Sequence, residues 1–187
     1  MSEDKQVAVI VIPTYNEAGN IETTIQKLEA VFPKVPKQYE MHILIVDDTS
    51  PDGTNEIVKR LQKKKKNLHL LLNKKKAGLG GAYLKGLAYA FGELKADVAF
   101  EFDADGQHQP KHIPSFLKKI DAGYDLVLGS RYIPGGSIPS TWGFHRKFLS
   151  IGGNKFIQLI LTNFKIHDWT TGYRAIRKEV HQSIEPI

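Results

Sequence analysis

The sequence predicts an α/β protein of three layers, in which helices cover both faces of a mostly parallel sheet. Two observations predict this class: short apolar runs alternate with segments of helical spacing, and each run stops at a polar or turn-forming cluster. Unbroken apolar runs are typical of strands that are buried on both faces, as in a parallel sheet. Five strands are predicted, at residues 7–12, 43–46, 68–72, 98–102 and 126–128.

Helices are predicted in the intervals between these strands. Ile21, Ile25 and Leu28 recur at helical spacing, and Pro33 ends their pattern. Further helices are expected after the turn at 49–53, at 81–91 and at 113–120. No repeat, low-complexity segment or linker interrupts the alternation, so residues 1–187 are expected to form a single domain.

The composition limits the class of function. The chain has 187 residues, no cysteine and a net charge of +6, which excludes disulfides and thiolate metal sites and indicates an anionic partner. The lysine run at 63–66 has no interleaved aromatic residues, so a solvated helix end is favoured over a nucleic-acid interface. No signal peptide is apparent, and no run reaches the ~18 apolar residues of a spanning helix. A cytoplasmic setting fits the absence of cysteine, and no nucleic-acid partner is expected.

Polar residues follow the predicted strands at the points where these end. Open α/β sheets bind ligands at the carboxyl edge of their strands, so side chains from several strand ends are expected to meet there. The residues concerned are Tyr15 and Glu17, Asp47 and Asp48, Asp103 and Asp105, and Arg131.

The segment Asp103-Ala104-Asp105-Gly106-Gln107 is a candidate metal site. Two carboxylates and an amide oxygen suit Mg²⁺ or Mn²⁺, which also accept water and phosphate oxygens as ligands. A solvated turn is the competing interpretation. An EF-hand loop is disfavoured, because Pro110 interrupts the spacing of the further oxygen ligands that such a loop needs. A phosphatase of the haloacid dehalogenase type is disfavoured because its motif normally follows the first strand, not the fourth.

Two further segments allow more than one interpretation. Asp47-Asp48 either caps the next helix or holds the ribose and base of a nucleotide, although Asp52 and Thr54 are better placed for capping. The glycine-rich loop at 76–81 enters a helix and could approach a phosphate or a sugar. No Gly-x-Gly-x-x-Gly follows the first strand, which disfavours a dinucleotide-binding dehydrogenase.

Several motifs in one order carry a resemblance to a known family. They are Pro13-Thr14-Tyr15-Asn16-Glu17, the segment from Val46 to Thr54, Gly78-Leu79-Gly80, Asp103-Ala104-Asp105 and Gly129-Ser130-Arg131-Tyr132. With these, nearly the whole chain resembles family 2 glycosyltransferases, and more narrowly their dolichyl-phosphate mannose synthase and polyprenyl-phosphate glycosyltransferase branch. The resemblance implies a GT-A fold.

The resemblance also implies roles for individual residues. Asp105 and Arg131 are expected to be catalytic, with Arg131 near the reacting phosphates. The expected nucleotide-sugar site consists of Pro13, Tyr15, Glu17, Val46, Asp48, Asp103, Ala104 and Gln107. The expected ligands of Mg²⁺ or Mn²⁺ are Asp103, Asp105 and Gln107. The expected lipid-phosphate site consists of Arg131, Arg146 and Ser150.

The implied reaction is the inverting transfer of a sugar from a nucleotide diphosphate sugar to a polyprenyl phosphate. GDP-mannose is the favoured donor, and a UDP-sugar is the alternative. Two functions compete with this one. The first is transfer of the sugar to a hydroxyl group of a glycan or another acceptor, and the second is nucleotide-sugar binding without turnover. Family members continue beyond Ile187 with an Arg and a Lys that help to bind the diphosphate, so this chain is expected to be a truncated catalytic domain.

The implied location is the cytoplasmic face of a membrane, where the enzyme would act as a peripheral protein. Arg146 and Ser150 are four residues apart, so on a helix they share a face and could both contact one phosphate. The residues that follow, up to Leu161, form a strongly apolar helical stretch. Whether this helix faces the protein core or the lipid is left open by its sequence.

Overall fold

The computed structural model describes residues 5–139 and 142–183. Its strands are β1 (Gln6–Thr14), β2 (Tyr39–Asp47), β3 (Leu68–Leu72), β4 (Val98–Glu101), β5 (Leu126–Leu128) and β6 (Arg174–Arg177). Its α-helices are α1 (Ile21–Glu29), α2 (Thr54–Gln62), α3 (Gly78–Gly92), α4 (Ile113–Asp121), α5 (Phe144–Ile160) and α6 (Lys178–Ser183). Short 3₁₀ helices lie at Phe32–Lys34 and Pro110–His112. No helix of the described residues has the length and apolar character needed to cross a membrane.

The six strands form one sheet in the order β3-β2-β1-β4-β6-β5. β1 pairs in parallel with β2 and β4, and β2 pairs in parallel with β3. The central strand β1 is fully buried from Ala8 to Ile12, which explains why its sequence is a continuous apolar run. The predicted α/β class with a mostly parallel sheet is confirmed.

Pro13 lies inside β1, whereas the sequence predicted that the strand ends before it. β1 continues to Thr14 and pairs with β2 over its full length, but its pairing with β4 ends at Val11. Proline lacks the N–H that a ladder needs, and here it lies where β1 has a paired neighbour on one side. The extension carries Thr14 to the edge of the sheet where the polar residues lie.

The sequence predicted five strands, and β6 is the one it missed. β6 is four residues long, begins and ends with arginine, and has Ala175 as its buried residue. Such a strand has neither the apolar run nor the alternation by which the others were predicted. Its position next to β4 in the sheet follows from tertiary pairing alone.

The described chain divides into two compact units. The larger unit comprises the residues up to Val127 together with those from Ala175 on, and the smaller unit comprises Leu128 to Arg174. The core of the larger unit includes Val9, Val11, Leu44 and Val46 from the sheet, with α3 packed against them. The smaller unit contains α5, whose buried residue is Asn154.

A glycine allows α3 to approach the sheet closely. A Cβ atom added to Gly86 would overlap Val11 Cγ1 and would lie 2.9 Å from Val46 Cγ2. Other buried residues on this face of α3 are Ala82, Tyr83 and Ala90. The distance between α3 and the first two strands is therefore set at Gly86.

Replacing Gly86 with alanine is expected to destabilise the larger unit by about 1–3 kcal/mol, because the added methyl group overpacks a filled core. The measurement is urea unfolding followed by far-UV circular dichroism. Gly92→Ala is the matched control, since it lies at the end of the same helix, where an added Cβ would have no neighbouring atom within 4 Å. If the urea midpoint of Gly86→Ala equals that of the wild type, α3 does not approach the sheet closely at Gly86.

Candidate functional site

A cavity of about 310 Å³ opens at the carboxyl edge of the sheet in the larger unit. This volume is at the lower end of the range of small-molecule sites. Its lining residues come from the ends of β1, β2 and β4 and from the start of α3: Pro13, Thr14, Tyr15, Glu17, Asp48, Lys76, Gly78, Leu79, Ala82, Asp103, Ala104 and Asp105. The predicted convergence of polar side chains from several strand ends is therefore present.

Asp103 is held in place from two sides. The Tyr83 hydroxyl donates to its Oδ1 at 2.6 Å, and His108 Nε2 lies 3.4 Å from its Oδ2. The backbone N–H of Asp103 donates to His108 Nδ1 at 2.9 Å, so the ring proton belongs on Nε2, which faces the carboxylate. Tyr83 and His108 thus fix the orientation of the Asp103 carboxylate toward the cavity.

Asp105 lies at the exposed rim of the cavity and is paired with Gln107. The Gln107 backbone N–H donates to Asp105 Oδ1 at 2.9 Å, and its side-chain Nε2 donates to Oδ2 at 2.7 Å. Between the two aspartates Ala104 is buried, and its carbonyl accepts from the Thr24 hydroxyl at 3.3 Å. The turn that follows β4 therefore presents two carboxylates with the Ala104 backbone fixed between them.

The donor set at this turn fits a hard divalent cation that keeps open positions. Carboxylates have about four lone-pair positions each, so Asp103 and Asp105 retain acceptor capacity beside the bonds they already make. No cluster of three or more His, Asp and Glu residues that could hold a metal occurs within 5–139 and 142–183. Mg²⁺ is typically bound by one or two carboxylates together with water and phosphate oxygens, which is the arrangement these two residues suit.

The two aspartates after β2 have different environments from the pair after β4. Asp47 is fully buried and accepts from the Thr14 hydroxyl and from the backbone and side chain of Ser50. Its carboxylate is used to close the turn at 48–50. Asp47 is therefore a structural residue in this geometry.

Asp48 fixes the loop that leads into α3. Its carboxylate accepts from Asn73 Nδ2 at 2.9 Å and from the backbone N–H groups of Ala77 and Gly78 at 2.8–2.9 Å. Burial alone would raise the pKa of Asp48, but these hydrogen bonds outweigh burial, so the pKa lies below its usual value. The ionised Asp48 lines the cavity and holds the glycine-rich loop against it.

A lysine from that loop adds positive charge to the cavity. Lys76 Nζ lies 3.5 Å from the centre of the Tyr15 ring, a cation–π contact. Tyr15 and Lys76 line the same cavity as Asp103 and Asp105. The cavity thus combines paired carboxylates with a nearby cation, a combination that suits a metal-bound diphosphate.

A buried ion pair organises the smaller unit. Arg131 donates to Asp168 through Nε at 2.7 Å and Nη2 at 2.6 Å, and its backbone N–H donates to the same carboxylate at 3.1 Å. Burial alone would raise the pKa of Asp168, but the bonds from Arg131 lower it below its usual value. Both groups are therefore charged at neutral pH, and Asp168 fixes the plane of the guanidinium.

Ser150 and Arg146 lie on one face of α5, as their spacing predicted. The hydroxyls of Ser150 and Tyr132 are 2.5 Å apart, and Asn154 Nδ2 donates to the Ser150 carbonyl at 2.8 Å. Asn154 also donates to Thr170 and accepts from the Trp169 backbone. This network joins the polar face of α5 to the segment at 168–170, within the smaller unit.

The remaining faces of α5 expose a large apolar surface. We call this set of residues the apolar face of α5; its members are Phe144, Phe148, Leu149, Phe156, Leu159 and Ile160, each more than 60% exposed. The spacing of Arg146, Ser150 and Asn154 places them together on a different side of the helix. The sequence left open whether this helix faces the core or the lipid, and in the structure these side chains are largely exposed among the described residues.

The structure brings most of the predicted nucleotide-site residues to one cavity. Pro13, Tyr15, Glu17, Asp48, Asp103 and Ala104 line it, together with Asp105, which was predicted as a catalytic residue and metal ligand. Val46 is fully buried beneath α3, and Gln107 is held at Asp105 outside the lining. Tyr83, His108 and Lys76 were missing from the predicted site. Only Lys76 had a signal in the sequence, namely its place in the glycine-rich loop.

Comparison with known proteins identifies the family. The family described as Glycosyl transferase family 2 matches residues 9–185. The polyprenol monophosphomannose synthase of Mycolicibacterium smegmatis is 39% identical over 181 residues, which are 96% of this chain and 65% of that protein. The undecaprenyl-phosphate mannosyltransferase of Micrococcus luteus is 37% identical over 175 residues, 94% of this chain and 68% of that protein. The chain thus spans about two thirds of the length of these curated relatives.

A solved structure supports the predicted fold. The mannosyltransferase PcManGT from Pyrobaculum calidifontis, determined in complex with GDP-Man and Mn²⁺, superposes with a TM-score of 0.61 at 20% identity. The match covers 97% of this chain and 47% of that one. The predicted GT-A fold is confirmed, and the chain belongs to glycosyl transferase family 2.

Proposed function

We infer that the chain transfers a sugar, with inversion, from a nucleotide diphosphate sugar to a polyprenyl phosphate. The observation that carries this inference is the cavity of the larger unit, which gathers Tyr15, Asp48, Lys76, Asp103 and Asp105 at one sheet edge. The names of the relatives in Mycolicibacterium smegmatis and Micrococcus luteus support a polyprenyl phosphate acceptor and mannose as the sugar. GDP-mannose is the favoured donor, and a UDP-sugar is the alternative.

The larger unit would bind the donor. Tyr15, Glu17 and Asp48 are assigned to the nucleoside portion, with Asp48 acting through the loop that it fixes. Lys76 is assigned to the diphosphate, since its ammonium group lies above the Tyr15 ring at the wall of the cavity. Asp103 and Asp105 would hold Mg²⁺ or Mn²⁺, which when bound neutralises the negative charge of the departing diphosphate.

The smaller unit would bind the acceptor phosphate through Arg131, Arg146 and Ser150. A phosphate monoester carries most of its second negative charge at neutral pH, because its second pKa is about 6. Such a nucleophile needs no general base, so a binding site of arginine and hydroxyl groups is sufficient for the acceptor. Tyr132, whose hydroxyl is bonded to Ser150, would keep the Ser150 hydroxyl oriented.

Calorimetric titration of GDP, UDP, GDP-mannose and UDP-glucose, with and without Mn²⁺, tests the donor half of this proposal. One nucleotide and its sugar derivative are expected to bind only in the presence of the metal. Binding that is equally tight in EDTA would remove the basis for the roles of Asp103 and Asp105. If only the uridine nucleotides bind, the donor is a UDP-sugar and not GDP-mannose.

We further propose that the apolar face of α5 rests on the membrane that holds the acceptor lipid. Its aromatic and leucine side chains are exposed on a helix that also carries Arg146 and Ser150, the proposed ligands of the lipid phosphate. A helix with an apolar face and cationic neighbours lies in the interface of anionic bilayers. The net charge of +6 favours the same surface.

Replacing Leu149 and Leu159 together with serine is expected to lower partitioning onto anionic vesicles at least about tenfold, because two buried leucines contribute several kcal/mol. Vesicle co-sedimentation measures the effect. Leu84→Ser is the matched control, since Leu84 is 60% exposed on α3 of the larger unit. Equal losses in the control and in the double variant would count against α5 as the membrane-facing helix.

A further inference from the structure

Two arginines of the smaller unit share one aromatic ring. The guanidinium carbon of Arg131 lies 5.0 Å from the centre of the Trp142 indole, and that of Arg146 lies 4.0 Å from it. Trp142 is buried, with 8% of its surface exposed. A cation over an indole is attracted to the negative face of the ring, and the attraction is larger where water is excluded. Trp142 therefore holds both side chains at defined positions.

The charges of these two arginines are neutralised differently. Arg131 is paired with the buried carboxylate of Asp168 at 2.6 Å. Within residues 5–139 and 142–183, no carboxylate lies within ion-pair distance of Arg146, which is exposed. Two cations on one ring repel each other, and Asp168 compensates for only one of them. The pair thus retains a positive charge that an anion would neutralise.

We propose that Trp142 is a positioning residue of the acceptor site, which holds Arg131 and Arg146 together as one receptor for a phosphate monoester. This inference rests on the proposed polyprenyl phosphate acceptor and adds the residue that organises its binding. Arginine binds phosphate through N–H donors in a fixed plane, so the orientation of that plane decides the strength of binding. An arginine that is already packed on an indole loses less conformational entropy when the phosphate binds.

The geometry gives Trp142 a different role from that of an ordinary core residue. Arg131 is fixed on one side by Asp168 and Thr170, which accept from its Nη2 at 2.6 and 2.8 Å. Arg146 lacks such an acceptor among the residues that the structure describes, so its contact with Trp142 is the one that orders it. Loss of the ring is therefore expected to release Arg146 more than Arg131, and to weaken phosphate binding without affecting the donor site.

The test compares Trp142→Phe, which keeps an aromatic ring, with Trp142→Leu, which keeps only apolar bulk. The Kd of a short-chain isoprenyl phosphate, measured by calorimetry, is expected to rise about tenfold in Trp142→Leu and less in Trp142→Phe. The Kd of the nucleoside diphosphate with Mn²⁺ is expected to stay within about twofold of the wild-type value, because the cavity of the larger unit contains no Trp142 atom. In an Arg146→Met background the leucine substitution should have a smaller effect, because one cation has already been removed.

A spectroscopic signal from Trp142 gives a second readout. Trp142 and Trp169 are the two tryptophans of the chain. Trp169→Phe removes an indole N–H that is buried and has no hydrogen-bond partner among the residues that the structure describes, so it is expected to preserve the fold and to leave Trp142 as the sole tryptophan. Titration of this variant with isoprenyl phosphate should then change the Trp142 fluorescence and saturate at the calorimetric Kd.

The outcomes separate this inference from the proposed function. Equal phosphate affinity in the wild type and in Trp142→Leu would overturn the role of Trp142 and leave the proposed acceptor intact. A wild-type chain that binds no isoprenyl phosphate would overturn both. Loss of nucleotide binding and phosphate binding together in Trp142→Leu, without recovery in Trp142→Phe, would assign the residue a general structural role instead and overturn the inference.

Discussion

Replacing Asp105 with asparagine is expected to lower the rate of sugar transfer by at least about 100-fold, because weaker binding of the metal would remove its stabilisation of the charge on the departing diphosphate. The substitution keeps the shape of the side chain and an oxygen that accepts from the Gln107 backbone. It removes the negative charge that would hold the metal. The expected result is therefore a loss of the metal-dependent part of nucleotide binding with no change in the temperature of unfolding.

Rates of transfer at saturating donor, with and without Mn²⁺, provide the measurement for Asp105. Asp125→Asn is the matched control, because the Asp125 side chain is 70% exposed and does not line the cavity. The control is expected to retain wild-type rates. Full activity of Asp105→Asn in the presence of the metal would mean that the carboxylate pair after β4 is not the metal site.

Replacing Asp168 with asparagine is expected to destabilise the smaller unit by about 3 kcal/mol. The Asp168 side chain has no exposed surface, and the asparagine would leave the charge of Arg131 without its partner. The Arg131 side chain is 22% exposed, so water offsets part of the cost and the value lies at the lower end of the range for buried pairs. Trp142 and Trp169 both lie in the smaller unit, so tryptophan fluorescence follows its unfolding in urea.

The effect of pH on this variant has a definite sign. The pKa of Asp168 is lower in the folded protein than in the unfolded chain, so its ion pair contributes stability above the unfolded value of about 3.9. That contribution is lost as the pH falls below this value toward the folded pKa. The difference in stability between the wild type and Asp168→Asn should therefore narrow below about pH 4.

An exposed ion pair serves as the control for Asp168. Arg60 and Glu22 are 2.7 Å apart, with side chains 64% and 42% exposed. Glu22→Gln is expected to cost less than about 1 kcal/mol, as exposed pairs do. If Asp168→Asn were no more destabilising than Glu22→Gln, the Arg131–Asp168 pair would not be the element that organises the smaller unit.

The sequence predicted those strands and helices whose own residues form an apolar run or a helical spacing. β1 and β2 are buried on both faces, so their apolar runs identified them, and the polar residues at their ends predicted the edge at which the cavity lies. β6 has arginine at both ends and one buried residue, and it therefore escaped prediction. Helix α3 begins at Gly78, ahead of its predicted start at Gly81, because Asp48 binds the N–H groups of Ala77 and Gly78.

The parts of the site that escaped prediction depend on partners distant in sequence or on the path of a turn. Asp168 lies 37 residues from Arg131, and no spacing rule links them. His108 reaches Asp103 because the turn after β4 folds back, which the sequence of Asp and Gly residues did not specify. Gln107 was predicted as a metal ligand, and this role stays a prediction, since the structure places its Nε2 on the Asp105 carboxylate.

The central claim, sugar transfer to a lipid phosphate, is tested most directly by incubating the chain with radiolabelled GDP-mannose, Mn²⁺ and a polyprenyl phosphate in detergent. Label is expected to pass into the organic phase when the acceptor is polyprenyl phosphate, and not when it is the corresponding polyprenol or when Mn²⁺ is replaced by EDTA. Equal labelling of the polyprenol, or no lipid label from a chain that binds GDP-mannose and isoprenyl phosphate, would contradict the proposed reaction.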